Sequence, residues 1–210
     1  MLVLSRPSKT PLRGELLFIL DIMGKQPEGY KIFVTVGSRN YQFNRLFVKL
    51  DELFEQGILE GKFFAQIGTS TYKPKHYEYK DFISQEEFLE RVQWADLVVS
   101  HGASGSIMKA LNAGKKVLAV TRLEKYNEHI NDHQIQNNEA FASNGYVLAD
   151  MGELTDLGSL FQKYFDGTDG TRPWENKDPL SIVKLIDNYI QEQDGYEADG
   201  TAIGVDEIEE

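Results

Sequence analysis

His101-Gly102-Ala103-Ser104-Gly105-Ser106 follows the hydrophobic run Val98-Val99-Ser100 and precedes a helical pattern. A turn of small residues in that setting gathers successive backbone N–H groups, the hydroxyls of Ser104 and Ser106, and a helix N-terminus. The combination favours an anion, most simply a diphosphate. Close packing of a helix against a strand asks for the same small residues, so the turn by itself does not separate a phosphate cradle from a packing device. It is not a Walker A loop, because no Gly-Lys-Ser/Thr follows. Val36-Gly37-Ser38-Arg39-Asn40, at the end of an earlier hydrophobic run, does not match the GxGxxG dinucleotide pattern either.

A second polar segment, Glu128-His129-Ile130-Asn131-Asp132-His133-Gln134, is dense in hydrogen-bonding groups. Two histidines four apart resemble half of a zinc motif. The residue after His129 is Ile130 where HExxH needs Glu, so no metal is expected. A hydrogen-bonding surface for a polar ligand such as a sugar fits the composition better. The competing reading is a solvated loop whose Asp132 caps the next helix.

The elements that must position these segments alternate regularly. Residues 31–36 read as a buried strand closed by Gly37-Ser38. Helical spacing of Phe43, Leu46, Phe47, Leu50, Leu53 and Phe54 follows, stopped by Gly57. Residues 61–68 read as a second strand and 80–83 as a short third. Ser84 with Glu87 forms a capping box for a helix over 85–93. Strands at 95–100 and 116–120 flank a helix over 106–112. A helix over 134–143 leads to a short strand at 146–149, and amphipathic helices follow at 157–165 and 180–190. Residues 16–23 could form an accessory helix. The expected fold is α/β, a doubly wound parallel Rossmann-like sheet of about six strands. In such sheets ligands sit beyond the carboxyl ends of the strands. Gly37-Ser38, residues 101–106 and residues 121–132 all fall there.

The chain has 210 residues and no cysteine, so disulfides and thiolate-metal sites are excluded. Its net charge is −11, much of it in residues 192–210, which carry eight acids and no Lys or Arg. That tail is expected to be disordered. No basic footprint for nucleic acid is present. Residues 16–20 are too short an apolar run for a signal peptide or a spanning helix, and a cytoplasmic location is expected. The expected division is an N-terminal extension over 1–30, one domain over 31–191 and the acidic tail.

Taken together and in order, Ile32-Phe33-Val34-Thr35-Val36-Gly37-Ser38 with Gln42-Phe43, the run from Ala95 to Ile107, the strand beginning at Lys116, and Arg122…Lys125-Tyr126-Asn127-Glu128-His129…Asp132-His133-Gln134 carry a family resemblance. From Lys31 to about Ile190 the chain resembles the C-terminal, nucleotide-sugar-binding half of GT-B glycosyltransferases of family 28. It is most similar to the short, single-domain members of bacterial exopolysaccharide and capsule synthesis.

The resemblance implies a UDP-sugar donor and no other cofactor. It implies that Gly37, Ser38, His101, Gly102, Gly105 and Ser106 lie against the diphosphate, with Ser104 in the same turn. It places Asp132 and Gln134, in a segment shared with Glu128 and His129, towards the sugar. His101 is the candidate catalytic group. Many relatives place a Glu, which binds the ribose, where this chain has Lys109, and Ala103 stands where Gly is usual.

A complete GT-B enzyme has two such domains. The resemblance therefore implies a membrane-associated partner subunit that supplies the acceptor half, and a lipid-diphosphate-linked sugar as acceptor. The protein would then sit at the inner face of the cell membrane through that partner. The expected activity is hexosyl transfer. The alternatives are a non-catalytic accessory subunit of a partner transferase, which Lys109 favours, and a stand-alone nucleotide-binding Rossmann enzyme, which lacks its fingerprint.

Overall fold

The computed structural model describes residues 29–131 and 133–175, with His133 described in its backbone alone. The expected helices over 16–23 and 180–190, the acidic tail and the site residue Asp132 lie outside the described residues. Among the described residues no helix is long and apolar enough to cross a membrane.

Six parallel strands form one sheet: β1 (Lys31–Thr35), β2 (Lys62–Gln66), β3 (Glu78–Lys80), β4 (Leu97–Ser100), β5 (Lys116–Val120) and β6 (Leu148–Asp150). Their order across the sheet is β3-β2-β1-β4-β5-β6. The doubly wound parallel sheet expected from the sequence is therefore present. The order reverses direction between β1 and β4, which pair directly, with Thr35 opposite Ser100. Ligands of doubly wound sheets bind in the crevice beyond such a switch point.

Helices cover both faces: α1 (Asn44–Glu55), α2 (Gln85–Trp94), α3 (Ser104–Asn112), α4 (His133–Ser143) and α5 (Leu157–Phe165). Alternation along the strands divides the core in two. Ile32 and Val34 face a cluster with Leu46, Phe47 and Leu50 of α1 and Leu157 and Phe161 of α5. Phe33 and Val98 face the opposite cluster, with Phe88 and Val92 of α2, Ile107 and Ala110 of α3, and Phe141 of α4. Strands buried on both sides need near-continuous apolar runs, which is why this sequence spells its inner strands so plainly.

Several boundaries differ by a residue or two from the expected ones, and three of the differences bear on the argument. α3 begins at Ser104 rather than Ser106, so Gly105 is a helical residue. β3 is Glu78–Lys80 rather than 80–83. All three of its residues are exposed on the sheet edge, and no apolar alternation marks it. β6 is shifted to end at Asp150, whose carboxylate accepts from the N–H groups of Gly152 (2.7 Å) and Leu154 (3.1 Å). The capping box at α2 forms as read: Ser84 Oγ accepts from Glu87 N–H at 3.1 Å.

Candidate functional site

The polar end of β1 builds the floor of the site. Thr35 Oγ1 donates to Gln66 Oε1 at 2.9 Å. It also accepts from Gly37 N–H at 3.2 Å, turning the chain out of the sheet. Gly37 has φ +74°, and a Cβ there would stand 2.7 Å from His101 Cε1 and 2.8 Å from Nε2. Only glycine lets this turn lie against the imidazole.

His101 is buried at 4% exposure, directly after β4. Its backbone N–H and its Nδ1 both meet the Thr35 carbonyl oxygen at 3.2 Å. A carbonyl only accepts, so Nδ1 carries the proton and Nε2 keeps its lone pair. Burial pushes the His101 pKa down to about 3, and the positive charges of Arg122 and Arg39 add to the effect, while the Thr35 hydrogen bond opposes it. The ring is neutral at ordinary pH.

Gly102 adopts φ +81° with its Cα against the Asn138 side chain, where a Cβ would stand 2.5 Å from Nδ2. Asn138 is itself buried on α4 and donates to Thr121 Oγ1 at 2.7 Å. The turn then enters α3 through Ala103, which has extended backbone (φ −79°, ψ 122°) and makes no side-chain cap bond. Ala cannot cap, so the N–H groups of Ser104 and Gly105 have no partner among the described residues, with the positive end of the helix dipole behind them, while Ser106 N–H donates to the Ala103 carbonyl at 3.1 Å.

These elements enclose a cleft of about 590 Å³ beyond the β1–β4 switch point. Of the residues anticipated from sequence, it is lined by Gly37, Ser38, His101, Gly102, Ser104, Gly105, Ser106, His129 and Gln134. The Gln134 carboxamide satisfies both ends when Nε2 donates to the His101 carbonyl (2.8 Å) and Oε1 accepts from Arg122 Nη2 (3.1 Å). His129 donates from Nδ1 to the Asn131 carbonyl at 2.9 Å. Its ring lies 5.5 Å from that of Tyr41.

Glu128 is a correction. It does not line the cleft, and its carboxylate is fully buried. Arg45 Nε donates to Oε1 at 2.9 Å, Arg45 Nη2 to Oε2 at 2.8 Å, and Leu123 N–H to Oε2 at 3.1 Å. Three protein donors hold this carboxylate, and its place in the structure is to fix the loop from behind the cleft wall.

Three cationic side chains complete the cleft: Arg39, Lys109 and Arg122. Lys109 extends from α3 with Nζ 5.2 Å from the centre of the Phe88 ring. Among the described residues no Asp or Glu lines the cleft. Arg39 and Arg122 were not anticipated as ligand groups. An arginine beside a strand end ordinarily reads as solvated, and only the tertiary structure buries Arg122.

Fold and cleft together define a doubly wound domain with a cleft lined by three cationic side chains at its switch point. Residues 31–159 match the glycosyltransferase family 28 C-terminal domain, and the chain belongs to that family. It is similar to the UDP-N-acetylglucosamine transferase subunit ALG13 of Homo sapiens, 26% identical over 124 residues. With the Mus musculus protein of the same name it is 30% identical over 108 residues. The matches cover 56% and 47% of this chain but only 11% and 9% of those relatives, so the chain spans about a tenth of their length. The NMR structure of ALG13 shares the fold, with a TM-score of 0.53 and 19% identity over 76% of this chain and 96% of that one. MurG of Acinetobacter baumannii does so at a TM-score of 0.51 and 16% identity, covering 82% of this chain and 52% of that one.

Proposed function

We propose that this chain is the donor-binding, catalytic subunit of a UDP-sugar-dependent hexosyltransferase that works with a partner subunit. The observation that carries the reading is the cleft at the β1–β4 switch point. It combines the uncapped N-terminus of α3, three cations and no carboxylate among its described lining residues. A diphosphate fits that electrostatic environment. Membership of the family supports a nucleotide-sugar donor, and the similarity to a transferase subunit supports dependence on a partner. In this reading the partner is membrane-associated and brings a lipid-diphosphate-linked saccharide, as in exopolysaccharide or capsule synthesis. The protein then works at the inner face of the membrane.

In the reaction, the bond between the sugar C1 and the β-phosphate oxygen breaks, and a bond from C1 to the acceptor oxygen forms. The free N–H groups of α3 and the cations take up the charge that develops on the departing UDP. The acceptor proton needs a base. His101 presents the Nε2 lone pair, but burial and two arginines hold it neutral and weakly basic. A bound diphosphate opposes the fields of Arg39 and Arg122, so donor binding raises the basicity of His101 at the moment it is needed. His101 is the proposed catalytic residue on that ground. The family resemblance adds Asp132, outside the described residues, to the proposed site.

The test is transfer by the co-purified pair, with UDP-glucose, UDP-galactose, UDP-glucuronate and UDP-N-acetylglucosamine against a lipid-linked acceptor. Substituting His101, or Ser106 together with Gln134, should abolish transfer without unfolding the chain. Unchanged turnover would sink the reading. A second reading, a non-catalytic accessory subunit, is favoured by Lys109, a cation on the cleft wall where relatives resembling this chain place a ribose-binding acid. Absence of UDP binding, with or without the partner, would establish that reading instead.

A further inference from the structure

Arg122 heads the fully buried side chains by size and is only 1% exposed, yet it lines the cleft. It directly follows Thr121 at the end of β5. One side of its guanidinium is held by Gln134 Oε1, which accepts from Nη2 at 3.1 Å. Its Nη1 is buried and has no hydrogen-bond partner among the described residues. Glu128 does not provide one, because its oxygens accept from Arg45 and from Leu123 N–H. Arg39 on the same cleft adds positive charge rather than offsetting it. Burial and that like charge both lower the Arg122 pKa, to about 10, while Glu128 works against them. A buried guanidinium remains costly unless its donors are satisfied.

The geometry points to Arg122 as a contact for an anionic oxygen of the bound donor, either a diphosphate oxygen or a carboxylate on the transferred sugar. This rests on the donor-binding reading above. It adds a charged contact to the cleft beyond the turn at His101–Ser106. Nη1 has no partner until the ligand arrives, and Gln134 holds the guanidinium in place meanwhile. Arginine suits this better than lysine, because its planar fork can bond Gln134 with one nitrogen and a ligand with another.

The experiment is calorimetric titration of UDP, UDP-glucose and UDP-glucuronate into the full chain, as wild type, Arg122→Gln and Arg122→Lys, with melting temperatures measured with and without ligand. Loss of a charge-assisted bond should weaken affinity about tenfold or more in Arg122→Gln. Equal loss for all three ligands assigns the contact to the diphosphate. Loss confined to UDP-glucuronate assigns it to a sugar carboxylate. Loss of the Nη2 bond to Gln134 lowers the ligand-free melting temperature in the variants, and the ligand-induced rise should shrink as well. If the ligand-free protein is destabilised and all affinities are unchanged, Arg122 is only structural and the inference is overturned. Should Arg122→Gln not fold, Arg122→Lys carries the same comparison, because it keeps the charge but not the fork. A wild-type chain that binds none of the three ligands overturns the donor-binding reading itself.

Discussion

Arg45 of α1 grips Glu128 through both carboxylate oxygens, 2.9 Å from Nε to Oε1 and 2.8 Å from Nη2 to Oε2. Its Nη1 donates to the Gly152 carbonyl at 3.0 Å, and its guanidinium carbon sits 3.7 Å from the centre of the Tyr126 ring. One arginine thus ties α1, the loop after β5 and the turn after β6 together. That loop carries Arg122 at one end and His129 at the other, so the clamp sets the position of one cleft wall from outside it.

Removing the buried half of the clamp should be costly. Glu128→Ala leaves the Arg45 fork and the Leu123 N–H without their acceptor. We expect a loss of about 2–4 kcal/mol in urea unfolding, since breaking a desolvated ion pair exposes its partner's desolvation cost. Arg45→Lys should lose less but should not restore the wild-type value, because a single ammonium cannot bond both oxygens in the plane. Equal stability of Glu128→Ala and wild type would show the clamp to be ornamental.

Gly102 and Asn138 should be energetically coupled. Gly102→Ala forces a left-handed backbone on alanine and drives its Cβ to 2.5 Å from Asn138 Nδ2. A cost of about 1–3 kcal/mol is expected. Asn138→Ala opens space there, so the double variant should be less destabilised than the sum of the singles. A thermodynamic cycle that closes within about 0.5 kcal/mol of additivity would contradict the contact.

His101 gives a pH signature. Its folded pKa of about 3 lies below its ordinary value, so the unfolded chain binds this proton first as pH falls. The stability it protects is complete above the ordinary histidine range. It drains as pH drops from there towards the folded value, by at most about 1.4 kcal/mol per unit for one proton. His101→Asn should flatten the stability–pH curve in that acid window relative to wild type. An unchanged slope would mean the ring is already charged when folded.

Lys109 should contribute to donor affinity through charge rather than through a fixed contact, since its side chain is exposed at the cleft edge and lies near the Phe88 ring. Lys109→Gln is expected to weaken UDP binding a few-fold at low salt and to make that binding less sensitive to added salt. Affinity that rises in the variant would instead mark Lys109 as an obstacle to the ribose and strengthen the accessory-subunit reading.

The inner strands were legible because burial on both faces leaves no room for polar residues. Val98, Val99 and Leu97 could scarcely be anything else. The edge strand β3 was misplaced for the opposite reason: Glu78, Tyr79 and Lys80 pair on one side only and bury nothing. At the site, Gly37 and Gly102 were readable because a positive φ and close approach to His101 and Asn138 leave no room for a Cβ. The roles of the charged residues were not. Glu128 and Arg122 are six residues apart in one polar loop, and sequence gives them similar standing. The fold occupies the carboxylate with Arg45 and leaves Nη1 of the guanidinium without a partner among the described residues, a difference set by α1 and α4, distant in sequence or not yet formed when the loop is read alone.

The missing cap at Ala103 has a further consequence. A helix whose first turn is closed by a serine or aspartate is complete before anything binds. This one is not, so on the proposed donor-binding reading a bound diphosphate would take the place of the missing cap. Amide exchange at Ser104 and Gly105 should therefore slow in step with occupancy of the cleft, while Ser106 N–H, which already donates to the Ala103 carbonyl at 3.1 Å, should change less. The start of α3 then reports, in the backbone itself, whether the protein is loaded.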